Sequence, residues 1–253
     1  MQTWPAMIRK GMAQHSLPKI NLLAGFVLLV LFCGCVEVEQ TLTLKSDGSG
    51  LVDITYAISE DQAARLQAMA SGLYEDEEDR SMGIDASDEE IRNEFKEYEA
   101  HGVVLQSVKT ASRAGQKQRR LVIAFQSLDG LAQSGFLSDR NVSLLRNAQG
   151  DYVFTQAGGS NGDELMTANE IASDPLMAQM MKGFKVTLRI RTPSRIVQTN
   201  APEKDEQTAV WRFDLDSDPA AVDKVARLVT QVTFEGRGLN MREFRSGKGG
   251  GTR

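Results

Sequence analysis

The sequence predicts an α+β domain, built on a mainly antiparallel, curved β-sheet with inserted helices and preceded by a cleaved signal peptide. Three observations predict it. Apolar residues alternate with polar ones on both sides of Gly-rich turns, first at 36–58 and again in the last third of the chain. Helix-capping patterns lie between those strands rather than alternating regularly with them, which indicates α+β rather than a parallel α/β fold. The first 34 residues are different in kind: Arg9, Lys10 and Lys19 precede an unbroken apolar run from Ile20 to Phe32, with no acidic residue. A basic segment before a short apolar stretch is the pattern of a secretory signal. The run falls short of the roughly 20 apolar residues a spanning helix takes.

The end of that run fixes the processing site. Phe32-Cys33-Gly34-Cys35 resembles the lipobox of bacterial lipoproteins, an apolar stretch and a small residue ahead of an acylated cysteine. Gly34 supplies the small residue, so Cys35 is the acceptor. Cys33 would place bulky Phe32 at that position. The expected product carries a diacylglyceryl group and an N-linked acyl chain such as palmitate at Cys35. Met7 and Met12 lie within the basic segment, and initiation at Met12 would give a more compact signal. Val36 follows the acceptor, where an Asp would mark inner-membrane retention in enteric bacteria. In a Gram-negative host the expected site is therefore the outer membrane, with the domain facing the periplasm or exterior.

Processing narrows the chemistry. It removes three of the 29 basic residues and none of the 34 acidic ones, taking the formal charge from −5 to near −8. Such an acidic balance argues against general nucleic-acid binding, which relies on basic surface. Cys33 is discarded and Cys35 acylated, leaving no thiol for a disulfide or a metal site. His15 leaves with the signal, so His101 is the remaining imidazole and a Ser/His/Asp arrangement has little to draw on. The expectation is a protein that is neither an enzyme nor a cofactor carrier.

The organisation reads as residues 1–34 signal, 35–244 one β-rich domain with a helical insert at 59–102, and 245–253 a flexible Gly-rich tail. Val36, Val38, Leu42 and Leu44 alternate with polar residues. After Ser46-Asp47-Gly48-Ser49-Gly50, the apolar face resumes with Val52, Ile54, Tyr56 and Ile58, forming a hairpin. Ser59 with Gln62 caps a helix expected to reach Leu73, and an acidic loop, Glu75 to Asp79, follows. Ser87 with Glu90 caps a second helix, with Ile91, Phe95 and Tyr98 on one face and Gly102 at its end. The self-repelling acidic stretch makes the insert the expected first site of proteolysis, between Tyr74 and Ser87. Strands are predicted at about 103–110 and 117–126, and a hairpin joins 142–147 to 151–156. Helical segments then run to Lys182, restarted at Asp174-Pro175. Strands follow at Lys185–Arg191, Ile196–Thr199 and Ala209–Leu215, then a short helix from Asp218-Pro219 and a closing strand through Val232 and Phe234.

Few motifs carry chemistry. Asp47 to Asp53 has the flavour of a calcium loop. With Gly48 as its glycine, however, Thr43 and Lys45 would fall at ligand positions, so a hairpin turn is the better reading. The Gly-rich 158–162 segment lacks the Lys-Ser/Thr of a phosphate loop. Two features stand out. Leu176, Met177, Met180, Met181 and Phe184 form one helical stripe of adaptable side chains, suited either to core packing or to an apolar ligand. Lys185, Arg189 and Arg191, with Arg195 nearby, form a local basic face, either solvated or able to meet an anionic headgroup. Together Met177, Met180, Met181, Phe184, Lys185 and Arg189 form the candidate ligand site.

Three stretches resemble LppM-type bacterial lipoprotein domains: the strand and Ser46–Gly50 turn directly after Cys35, Thr192-Pro193-Ser194-Arg195-Ile196-Val197 with Thr199-Asn200, and Val210-Trp211-Arg212-Phe213. The resemblance covers roughly Val36 to Leu239. The chain departs from it at Ser194, where Gly is expected, and in the insert from Ser59 to Gly102. The resemblance implies a β-rich envelope domain concerned with lipids and brings no catalytic residues. The resulting expectation is a membrane-anchored envelope lipoprotein binding lipid or another apolar ligand. Its alternative is a structural or assembly lipoprotein that binds a protein partner through the insert.

Overall fold

The chain enters its first strand at once: β1 (Glu37–Leu44) pairs antiparallel with β2 (Gly50–Ser59) in the expected hairpin. In this computed structural model the residues described are 36–64, 86–113, 115–137, 140–158 and 181–245, with single positions 169, 173 and 178. The signal peptide, Cys35, the acidic loop, the tail and most of the Met stripe lie outside them. Gly34–Arg253 forms one compact unit.

The turn explains why no calcium loop is needed. Asp47 accepts hydrogen bonds from the Ser49 backbone N–H (2.9 Å) and from its hydroxyl (2.7 Å), which hold its carboxyl below the usual carboxylate range. Its acceptor capacity is engaged by its own turn. Gly50 is required sterically, since a Cβ there would sit 2.1 Å from the Thr43 carbonyl oxygen and 2.4 Å from the Phe125 ring. Among the described residues no group of three or more His, Cys, Asp or Glu is placed to hold a metal ion.

Ser59 Oγ accepts from Gln62 N–H at 3.2 Å, and 60–64 is helical. The second capping box is complete: Ser87 caps Glu90 N–H while the Glu90 carboxylate accepts from Ser87 N–H, opening α1 (Asp88–Glu94). The expected continuous helix tightens after Glu94 into a 3₁₀ helix (Phe95–His101) that ends at Gly102, with φ of 73°. Phe95, Tyr98 and Phe136 pack ring against ring, with centroids 5.3–5.9 Å apart. That cluster rewards the tighter winding, because it aims Tyr98 as well as Phe95 at the same neighbour.

Then come β3 (Val103–Arg113), β4 (Gln116–Phe125), α2 (Leu128–Gln133), β5 (Arg140–Arg146), β6 (Tyr152–Gly158), β7 (Lys185–Arg191), β8 (Ile196–Thr199), β9 (Glu203–Lys204), β10 (Thr208–Asp214), α3 (Ala221–Ala226), β11 (Val229–Phe234) and β12 (Phe244–Arg245). Helix α2 escaped the sequence reading. Its signal is Ser127, which accepts from Gly130 N–H, with Leu128 and Leu131 both buried.

The mainly antiparallel α+β expectation holds, but the strands divide between two sheets. One has the order β3-β4-β2-β1-β7-β10-β9, the other β12-β5-β6-β11-β8. The β1·β7 pair is parallel and every other pairing is antiparallel. The last third of the chain is thus not one sheet: β7, β9 and β10 join the first, while β8, β11 and β12 join the second. One apolar core joins Leu42, Val52, Ile123, Leu188 and Trp211 of the larger sheet with Val142, Phe154, Val232 and Phe234 of the smaller. No described helix is long and apolar enough to cross a membrane.

Candidate functional site

Of the site predicted from sequence, Met181, Phe184, Lys185 and Arg189 are among the described residues. Met177 and Met180 lie outside the described residues. Met181 to Phe184 is a turn closed by Phe184 N–H to Met181 C=O (3.1 Å), not the end of a helical stripe. Phe184 packs against the core, whereas Arg189 belongs to the opposite face of its strand, where it meets Glu39 at 3.0 Å. Lys185 lies 3.6 Å from Asp214, and Arg195 pairs with Glu235. The basic face is therefore matched by carboxylates from β1, β10 and the end of β11. Sequence spacing shows which cations share a strand face and is blind to the strands that will flank it.

That outer face carries a groove of about 420 Å³, lined by Glu39, Thr41, Asp53, Thr55, Lys109, Gln118 and Arg120. Arg120 donates to both Asp53 oxygens (2.9 and 2.5 Å), and that pairing raises its pKa. The groove's carboxylates, Glu39 and Asp53, are paired with Arg189 and Arg120. It offers little to an apolar ligand.

The second concavity is of another kind. An open cleft of about 640 Å³ is lined by β10, by α3 with the turn after it to the start of β11, and by Asn200 and Pro202. Pro202, Trp211, Phe213, Ala220, Leu228 and Val229 supply its apolar lining; Arg212, Lys224 and Arg227 are its cations and Asp223 its carboxylate. Arg212 is paired with Glu203, and Lys224 with Asp218 at 2.5 Å. Arg227 makes no ion pair among the described residues. Val229 is 46% exposed, while Trp211 is only 2% exposed. The Trp211 indole N–H is buried and has no hydrogen-bond partner among the described residues. A buried donor left unpaired costs about 1–3 kcal/mol, so its persistence beside an open apolar cleft invites an acceptor from outside the chain.

The surrounding backbone is rigidly held. At the crossing from β7 to β8, Thr192 Oγ donates to Ser194 C=O at 2.7 Å, and Ser194 Oγ donates to Glu235 C=O at 2.6 Å. Asn200 closes β8 onto β11 by donating to Val229 C=O (2.6 Å) and accepting from Gln231 N–H (2.9 Å). Of the motif residues singled out in the sequence, Asn200, Trp211, Arg212 and Phe213 line this cleft, and Ser194 uses a hydroxyl that glycine lacks.

No family model matches the chain, and no curated protein matches it. Among solved structures, it is similar to the NMR structure of the folded domain of LppM from Mycobacterium tuberculosis. The TM-score is 0.42 at 14% identity, over 81% of this chain and 92% of that one. The likeness to the LppM domain is distant. It carries no argument about function, which rests on this chain's own residues.

Proposed function

We propose that this protein is an envelope lipoprotein, acylated at Cys35, whose domain holds an envelope lipid or another apolar ligand in the Trp211 cleft. The anchor reading rests on the sequence from Arg9 to Cys35. The ligand reading is supported above all by one observation: Trp211, whose buried indole N–H has no hydrogen-bond partner among the described residues, lines an open apolar cleft with cations on its rim. An amphiphile meets all three conditions. Its chain covers the apolar lining, its ester or headgroup oxygen accepts from Trp211, and a negative headgroup meets Arg227. A charge-assisted bond of that kind contributes roughly 1.5–3 kcal/mol when well placed. Pockets that combine apolar walls with a few polar groups are the usual form of small-molecule sites.

Lys185 and Arg189 are available to a headgroup only in competition with Asp214 and Glu39. In a Gram-negative host the acylated protein belongs to the outer membrane. Mass spectrometry of lipids retained by the purified acylated protein tests the ligand reading. A stoichiometric amphiphile that is lost in Val229→Glu supports it, and a lipid-free protein overturns it.

A further inference from the structure

The lipidated residue has no tether. Val36, directly after Cys35, accepts a hydrogen bond from Lys185 N–H at 2.8 Å, and β1 begins at Glu37. With Cys35 acylated as proposed above, the end of the larger sheet that holds Glu37, Lys185 and Asp214 in one cross-strand row is the end next to the anchor. The register then gives the height of the cleft. Phe213 lies across from Val186, which lies across from Val38; Trp211 lies across from Leu188 and Gln40. At about 3.3 Å per residue, these two rows stand roughly 10 and 17 Å from Cys35 along the strands. Laterally, two strand spacings of about 4.8 Å separate β1 from β10. The cleft is held within about one lipid length of the anchor.

We infer that the Trp211 cleft is loaded directly from the leaflet in which Cys35 is anchored: one acyl chain of a bilayer lipid leaves the surface and enters the cleft while the domain stays seated. This rests on the lipid-binding reading above and adds the source of the ligand and the surface the domain faces. A flexible tether would permit uptake from the aqueous space or from a facing membrane. A zero-length one holds the cleft against its own leaflet.

The chain supplies its own reporter. Of its two tryptophans, Trp4 lies in the signal peptide, so the processed protein fluoresces through Trp211 alone. The acylated protein is reconstituted into vesicles of anionic and zwitterionic phospholipid, with or without bromine atoms deep in the acyl chains. Bromine quenches only at short range. Trp211 is buried and roughly 17 Å along the strands from the anchor, so a brominated chain comes within that range by entering the cleft. The expected result is loss of at least half of the emission in brominated vesicles, and recovery of most of it in Val229→Glu, a change at an exposed position that leaves the fold intact. Equal emission in both kinds of vesicle overturns the inference. If the purified protein nevertheless retains lipid by mass spectrometry, the cleft binds lipid from another source and only leaflet loading fails. If it is lipid-free as well, the lipid-binding reading falls with it.

Discussion

Replacing Trp211 by Phe separates a ligand site from ordinary core packing, because the two predict opposite stability effects. Trp211 is among the core residues of the larger sheet, paired across from Leu188. Truncating a well-packed Trp to Ala costs about 3–5 kcal/mol. The Phe variant removes part of the aromatic area, which costs roughly 1–2 kcal/mol at about 0.8 kcal/mol per methylene equivalent. It also removes a buried donor whose unpaired state costs about 1–3 kcal/mol. The two contributions offset, so stability is expected to change by less than about 1 kcal/mol. Ligand affinity behaves differently. The hydrogen bond to the ligand contributes about 0.5–1.5 kcal/mol, so Kd is expected to rise roughly two- to twelve-fold. Urea denaturation followed by far-UV circular dichroism gives the first number, and titration calorimetry with a single-chain anionic amphiphile the second. A loss of 3 kcal/mol or more in the Phe variant, with affinity unchanged, would falsify the reasoning: the indole would then be a packing element whose N–H finds its partner within the chain.

The remaining expectations test the anchor, the core and the electrostatics. Cys35→Ser is expected to give unprocessed precursor or soluble protein without fatty-acid label; undiminished labelling would move the acylation site elsewhere. Tyr152→Phe removes a buried hydroxyl that donates to Met241 C=O (2.9 Å) and accepts from Met241 N–H (3.0 Å) and Arg146 (2.8 Å). A loss of about 2–4 kcal/mol is expected from the stranded Met241 groups and the charged partner, and a shift below about 0.5 kcal/mol in urea would show that water replaces the hydroxyl. Burial, and next the Glu97 charge, raise the pKa of Glu94. A carboxyl whose pKa is higher in the folded state binds its proton more tightly there, so stability falls as pH rises from the unfolded value through the folded one. Glu94→Gln is therefore expected to raise the thermal midpoint at pH 7 and leave it unchanged near pH 3; equal midpoints at both pH values would count against that environment. Ser87→Ala removes the cap of α1 and is expected to cost about 0.5–2 kcal/mol, read as lowered helix content and midpoint.

Much of the local structure was legible because it is decided by neighbours in sequence. The Ser46–Gly50 turn, the Ser59 cap, the Ser87/Glu90 capping box and the Gly102 stop each depend on contacts within about five residues, and the structure places them as the pattern does. Alternation also located the apolar faces of β1, β2 and β7, since a strand's two faces are set by the pleat alone. The 3₁₀ winding of Phe95–His101 and the helix after Ser127 were not legible. The first answers to Phe136, more than thirty residues away, and the second is too short for its periodicity to register.

By itself the sequence determined the hairpins, the helix caps and the α+β class, and it carries the expectation of processing and acylation at Cys35. These follow from composition and from interactions along the chain. Tertiary structure decided which strands share a sheet. The parallel joining of β1 to β7 spans some 150 residues, and the division of the last third between two sheets has no local signal. It also decided the site. Lys185, Arg189 and Arg195 look like a cation cluster until Asp214, Glu39 and Glu235 arrive from other segments to match them. Trp211 looks like any core aromatic until β10, β11 and α3 converge on an open cleft and leave its N–H without a partner among the described residues. Charge matching and donor satisfaction depend on proximity in space, and proximity is what folding supplies.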